Sequence, residues 1–452
     1  MTAKLTRGEK LIYGVGDIGF SLTTTILGAY FAIFMTDVVG LRPGIAAIAI
    51  FIGKSWDYVN DPLFGHLSDR TRSRWGRRRP YLLFGALPMA ITFTMLWWRP
   101  PWQAPLALAA YYAVAYIFFE AANTLLYMPY FALTPELTSD YDERTTLTTY
   151  RMFFSILGSL LAFTLPLLIV GSFRPENASK VVTMGLTFGL VAALPMLLVF
   201  FGTREREAFM EQEKPTLWKS LKASWRNKPF LYGLAIFLAT WISVDILQST
   251  LLFYIKYVVQ RESQNDVIMA TIFVVAMFAL PIWEWVARRW SKRRSYIWGI
   301  AFLAVVLMLL ISVTPETSLG VILTLCALAG IGVAAAHVLP WAILPDAIEW
   351  DEYQTGERHE GMFYSLTTLT RKIASSVALP VVLLLLDASG YVPNAPQQSQ
   401  AALWGIRSVI GPIPGLMLVV GIIFASRYPL DRETFAQVVD KLAARRSGQA
   451  AD

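Results

Sequence analysis

The chain has 452 residues, 55% of them hydrophobic and only 16% charged, with a formal net charge of +7 and a mean hydropathy of +0.49. Soluble proteins carry about one charged residue in four, so this balance excludes a large soluble enzyme and points to a polytopic membrane protein. The positive charge is no sign of nucleic-acid binding: the lysines and arginines fall in short runs between apolar stretches, where they orient a chain in a bilayer.

A membrane helix needs about 20 apolar residues. On that measure twelve spans are predicted, near 11–36, 44–67, 80–98, 105–133, 147–170, 180–202, 229–258, 266–287, 295–313, 318–344, 361–387 and 402–426. The expected fold is an all-α polytopic membrane protein. Basic clusters at Lys4–Lys10, Arg70–Arg79, Arg204–Lys228, Arg288–Arg294 and Lys441–Arg446 alternate with loops poor in basic residues, which predicts that both termini are cytoplasmic. The polar stretch 203–228 contains an amphipathic piece, Leu217 to Trp225, suited to a membrane surface. It divides an N-terminal six-span domain (1–202) from a C-terminal one (229–427), which is followed by a cytoplasmic tail (428–452).

The two halves repeat. Pro129-Tyr130-Phe131-Ala132-Leu133-Thr134-Pro135-Glu136 returns as Pro340-Trp341-Ala342-Ile343-Leu344-Pro345-Asp346, and the basic loop after span 2 is echoed by Ala287–Ser295 after span 8. Parallel six-span repeats mark a transporter whose substrate sits between halves near mid-membrane.

Ionisable residues inside spans are expensive and usually functional. Span 2 carries Asp57 and Asp61, four residues apart, which places their Cβ atoms about 5–6 Å apart on one helix face. Each ionised aspartate at a helix centre costs about 2.5–3.5 kcal/mol. Such a pair must share a cation, take up a proton or face water; pairing with Lys54, one turn earlier, is the alternative. Asp17 lies in span 1, Glu120, Thr124 and Tyr127 share a face of span 4, Arg151 opens span 5 and Asp245 sits within span 7. Arg371 and Lys372 are adjacent in span 11, so they point about 100° apart. Cys326 is the single cysteine, which excludes a disulfide framework or a cysteine metal site. No HExxH, GxSxG or Walker loop occurs, so neither an enzyme nor a bound cofactor is expected.

Several motifs together carry a resemblance. They are Tyr13-Gly14-Val15-Gly16, Thr36-Asp37-Val38-Val39-Gly40-Leu41, Trp56-Asp57, Asn60-Asp61-Pro62 and Thr71-Arg72-Ser73-Arg74-Trp75-Gly76, with the two proline boxes, Arg151, Lys372 and Gly390-Tyr391-Val392-Pro393. The chain resembles the major facilitator superfamily, and within it the glycoside-pentoside-hexuronide:cation symporters. That resemblance implies two pseudo-symmetric six-helix bundles with alternating access, and uptake driven by Na+, H+ or Li+. It implies a cation site at Asp57, Asn60, Asp61 and Thr124, with the two aspartates as the Na+ ligands and Lys372 nearby. It also implies a gating loop at Asp69, Arg70, Arg77 and Arg78.

The sugar site departs from the family pattern. Phe20 and Ser21 stand where the family has a lysine–aspartate pair, Tyr127 stands for a second aspartate, and Phe131 for a tryptophan. Arg151 is retained. The expected substrate face is therefore Asp17, Ser21, Glu120, Tyr127, Phe131, Arg151, Asp245, His337, Trp341, Thr367 and Thr368. Interhelical hydrogen bonding is the alternative for the acids, core packing for His337, and bonding to backbone carbonyls for the threonines. The expected function is cation-coupled symport of a glycoside by a monomer in the plasma (bacterial inner) membrane, with membrane lipid and a small-molecule substrate as its partners. A lysophospholipid symporter of the same fold and a transporter-like sensor are the alternatives.

Overall fold

The computed structural model describes residues 5–138, 141–205, 227–356, 360–430 and 432–446. The amphipathic piece expected at 217–225 lies outside the described residues. Secondary structure among the described residues is helical throughout. Helix starts follow local chemistry. Thr6 and Glu9 form a reciprocal capping box at the first helix, Ser291 and Ser318 cap two later ones, and prolines occupy the first turns of Pro43–Ser55, Arg79–Leu96 and Pro105–Ala132. A helix N-terminus has spare N–H groups for the first arrangement and no use for the missing N–H of proline in the second.

Eleven described helices are long and apolar enough to cross a membrane. The predicted second span is the exception. It is broken at Trp56 into Pro43–Ser55 and Asp57–Arg70, each too short to cross alone, and the second is polar as well. Two other spans end irregularly, and at matching places in the repeat. Arg7–Ile33 continues as a π-helical turn, Phe34–Val38, and Lys228–Phe253 as another, Tyr254–Val259. Each stops at a left-handed residue, Gly40 (φ +88°) and Gln260 (φ +56°). Single π turns within α-helices are frequent at functional sites.

The chain divides into two compact units. In the first, span 1 packs against the helices Tyr141–Val170 and Ala178–Gly202. Small residues permit the approach: a Cβ on Gly19 would stand 2.2 Å from the Ala192 carbonyl oxygen, and one on Gly158 2.3 Å from Ser21 Oγ. Close helix contact through small residues is how membrane helices gain packing energy where lipid supplies no hydrophobic drive. Leu251–Ala270 and Leu379–Gly405, from spans 7, 8, 11 and the start of 12, belong to this first unit as well. The second unit holds the rest of the second repeat, where Phe230, Phe237, Leu344, Ala347, Ile348, Met362 and Phe363 form an apolar cluster flanked by Trp241.

Candidate cation and substrate sites

The break at Trp56 makes Asp57 the first residue of a new helix, where the peptide dipoles favour a carboxylate. Asp57 is buried, and Thr124 donates to its Oδ1 at 3.3 Å from span 4. One turn on, Asn60 is only 1% exposed, yet neither its Oδ1 nor its Nδ2 has a hydrogen-bond partner. Buried amides are almost always bonded, so an unmet carbonyl oxygen beside a carboxylate and a hydroxyl is a place for a hard cation, which takes oxygen ligands. Asp61 is half-buried on the same helix. Lys372 lies in the second unit, half-buried on the helix Glu360–Ala388. The four first-unit residues named for the cation thus share one turn of span 2 and the facing stretch of span 4.

The substrate-face residues of the first unit form two patches. Arg151 Nε donates to Asp17 Oδ2 at 3.1 Å, with side-chain exposures of 15% and 4%. The guanidinium also lies 4.5 Å from the Phe131 ring centre and 5.5 Å from that of Tyr130. Asp17 is therefore engaged by Arg151. Beside this pair Phe20, Tyr127 and Phe131 make an aromatic patch, with ring centres 5.0–6.2 Å apart. The Tyr127 hydroxyl is buried without a partner. Ser21 bonds its own helix, donating to the carbonyls of Asp17 and Ile18. Glu120 is buried on the Thr124 helix.

In the second unit His337 Nδ1 lies 2.9 Å from the Val333 carbonyl oxygen, and its ring stands edge-on to Trp241 at 5.0 Å. Trp341 packs on Phe237 at 4.7 Å and is 40% exposed. Thr367 and Thr368 donate to the carbonyls of Phe363 and Tyr364, one turn back, as hydroxyls in spans commonly do. Asp245 is half-buried one turn after Trp241.

The Asp69 side chain lies outside the described residues, and Arg70 is exposed. The backbone N–H groups of Arg77, Arg78 and Arg79 all donate to the Glu205 carboxylate, at 2.6, 2.8 and 2.9 Å. Glu205 thus caps the third span from beyond the sixth. Gly76 (φ +106°) makes room for it, since a Cβ there would stand 2.6 Å from the Glu205 carboxyl carbon.

One cluster was absent from the sequence expectations although its motifs were noted. Asp37, fully buried in the first π turn, accepts from Lys256 Nζ (2.5 Å), Tyr391 (2.5 Å), Thr36 (2.9 Å) and Tyr257. Asn394 donates to the Asp37 carbonyl at 2.6 Å and accepts from Lys256 at 3.0 Å. Lys256 and Tyr257 lie in the second π turn, so the network ties the matching ends of spans 1 and 7 to the loop after span 11. Burial raises the Tyr391 phenol above its ordinary pKa, and the Asp37 charge raises it further. The available signal was the matching of Val38-Val39-Gly40 with Val258-Val259-Gln260 across the repeat.

Comparison with known proteins agrees with this architecture. Residues 12–432 match the family described as MFS/sugar transport protein. The chain is 31% identical to the uncharacterized symporter sll1374 of Synechocystis sp. over 98% of its own length and 97% of the relative's. It is 27% identical to sodium-dependent lysophosphatidylcholine symporter 1-A of Danio rerio, covering 95% and 87%. The D-xylose-proton symporter structure superposes with a TM-score of 0.67 at 15% identity, covering 93% and 97%. At that identity the likeness is one of fold. The matched family covers nearly the whole chain, and the helices, repeat and solved neighbours agree with it: this multi-pass membrane protein belongs to the MFS/sugar transport protein family of the major facilitator superfamily.

Proposed function

We propose that the protein is a secondary active symporter that couples Na+ entry to uptake of a small organic substrate. The observation that carries the reading is the buried Asn60 with an unmet side chain, one turn from the Asp57–Thr124 contact. A cation there neutralises Asp57, satisfies the Asn60 carbonyl oxygen and joins spans 2 and 4. Ordering these helices before the substrate arrives lowers the cost of binding it, which is the thermodynamic meaning of coupling. The relatives named sodium-dependent symporters favour Na+ over H+. The basic clusters favour an inner-membrane orientation with cytoplasmic termini.

The residues favour an amphiphilic cargo. Asp17 is held by Arg151, and Phe20, Tyr127 and Phe131 present aromatic rings beside that pair. A lysophospholipid offers an apolar chain to such a surface. A glycoside is the second reading, favoured by the family description and by the buried Glu120. The test is stabilisation of purified protein by lysophosphatidylcholine and by a glycoside panel, each with Na+ or with choline chloride at fixed pH. Stabilisation that needs Na+ supports coupling, and the responding class names the cargo. Equal stabilisation in both salts would sink the Na+ reading.

A further inference from the structure

Arg371 lies well inside the helix Glu360–Ala388 and is half-buried. A cation at that depth in a span is costly without compensation. Its guanidinium carbon sits 3.7 Å from the centre of the Trp241 ring, and among the described residues it makes no ion pair or hydrogen bond. The indole it covers is itself short of a partner: Trp241 Nε1 is buried and donates to nothing. His337, edge-on to the same ring, uses Nδ1 on the Val333 carbonyl, which leaves Nε2 as its remaining polar atom. A guanidinium and a buried indole N–H thus lie together, and an acceptor is what both lack, while His337, donating from Nδ1, leaves Nε2 as an acceptor beside them. The nearby acid is Asp245, one turn beyond Trp241, whose charge acts on both Arg371 and His337 without a hydrogen bond to either. Stacking suits arginine in particular, because a guanidinium over an indole still presents its N–H edge to a planar or tetrahedral oxyanion.

We infer that Arg371 and Trp241 form an anion-binding subsite, and that the transported substrate carries a carboxylate or phosphate group which this subsite holds. The inference rests on the symporter reading for the word transported, and on the second unit alone for the subsite. Two sources supply that chemistry, an acidic sugar and a lysophospholipid. In both cases Asp245 meets the opposite end of the polar head, accepting from sugar hydroxyls or facing a quaternary ammonium.

The test uses the full-length protein in nanodiscs and two matched ligand pairs. One pair is methyl β-D-glucuronide and methyl β-D-glucoside. The other is 1-palmitoyl lysophosphatidylcholine and 1-monopalmitoylglycerol. In one of the pairs the member with the anionic group is expected to bind about tenfold or more tightly than its partner, as befits a charge-assisted pair. Arg371→Gln should abolish that preference, and Arg371→Lys should keep part of it. Trp241→Phe retains the ring but loses the N–H, and should weaken the charged ligand about three- to tenfold while sparing the neutral one. Unliganded melting temperatures check folding, and the lysine variant serves if the glutamine variant does not fold. Equal binding within both pairs, no binding by any of the four ligands, or an intact preference in Arg371→Gln would overturn the subsite and leave Asp245 as the simple counter-charge of Arg371. Loss of Na+ dependence with the anion preference retained would overturn the Na+ reading and leave the subsite standing.

Discussion

Asn60 is 1% exposed with an unpaired carbonyl oxygen and an unpaired amide, and each unmet buried group costs about 1–3 kcal/mol. An apolar side chain of similar volume removes that cost. Asn60→Leu is therefore expected to raise the melting temperature in Na+-free buffer and to lose most of the stabilisation that Na+ confers on the parent. A fall in both buffers would show that Asn60 has a structural partner and no ion-binding part. Asp57→Asn removes the charge while keeping the shape, and Na+-stimulated uptake into proteoliposomes should fall to background. Unchanged stimulation would remove Asp57 from the cation site. Asp37 tests a different kind of residue. Its Lys256 pair is buried, with side-chain exposures of 0% and 8%, and breaking such a pair from one side costs about 3–5 kcal/mol because the remaining charge is stranded. Asp37→Asn should lower stability by that order, and Asp37→Asn with Lys256→Met should recover much of it. Tyr391 adds a pH dependence. Its raised folded-state pKa means the unfolded chain releases the proton first. The phenol's contribution is therefore full below about pH 10, its unfolded value, and fades as pH rises through the folded one. Tyr391→Phe should flatten part of the alkaline loss of melting temperature.

At the scale of elements, the irregular places concentrate the chemistry. The break at Trp56 begins a helix at Asp57, and the π turns at Phe34–Val38 and Tyr254–Val259 present Asp37, Lys256 and Tyr257 to one another. An alternating-access carrier has to exchange such contacts between discrete arrangements, so Asp37→Asn should also alter the uptake rate, measured apart from the stability loss at a temperature where the variant remains folded. The turn before Arg79–Leu96 is built another way. Three consecutive backbone N–H groups hold Glu205, and Gly76 has both the positive φ and the open space this requires. Gly76→Ala should cost about 1–3 kcal/mol from backbone strain alone, read as a lower melting temperature. Glu205→Gln keeps the acceptor and should cost less.

At the scale of the whole molecule, hydropathy was enough for the class of protein and for eleven of the twelve expected spans. These depend on local composition and on the bilayer's thickness, which a linear chain displays directly. The Asp57–Asp61 spacing was legible for the same reason, because a helix places residues four apart on one face whatever surrounds it. Partnerships between distant segments were not legible. Arg151 and Asp17 are both expected on the substrate face, and only packing brings them to 3.1 Å of each other. The arginines after span 2 are plain in the sequence, but nothing in it shows that the backbone N–H groups of 77–79 hold Glu205. Thr36-Asp37 and Gly390-Tyr391 were visible motifs with no evident reason to meet until the ends of spans 1, 7 and 11 came together. Periodicity says which way a side chain points on its own helix. Which helix stands opposite is decided by the close fit of small residues and by the burial of charges that must find each other once water is gone.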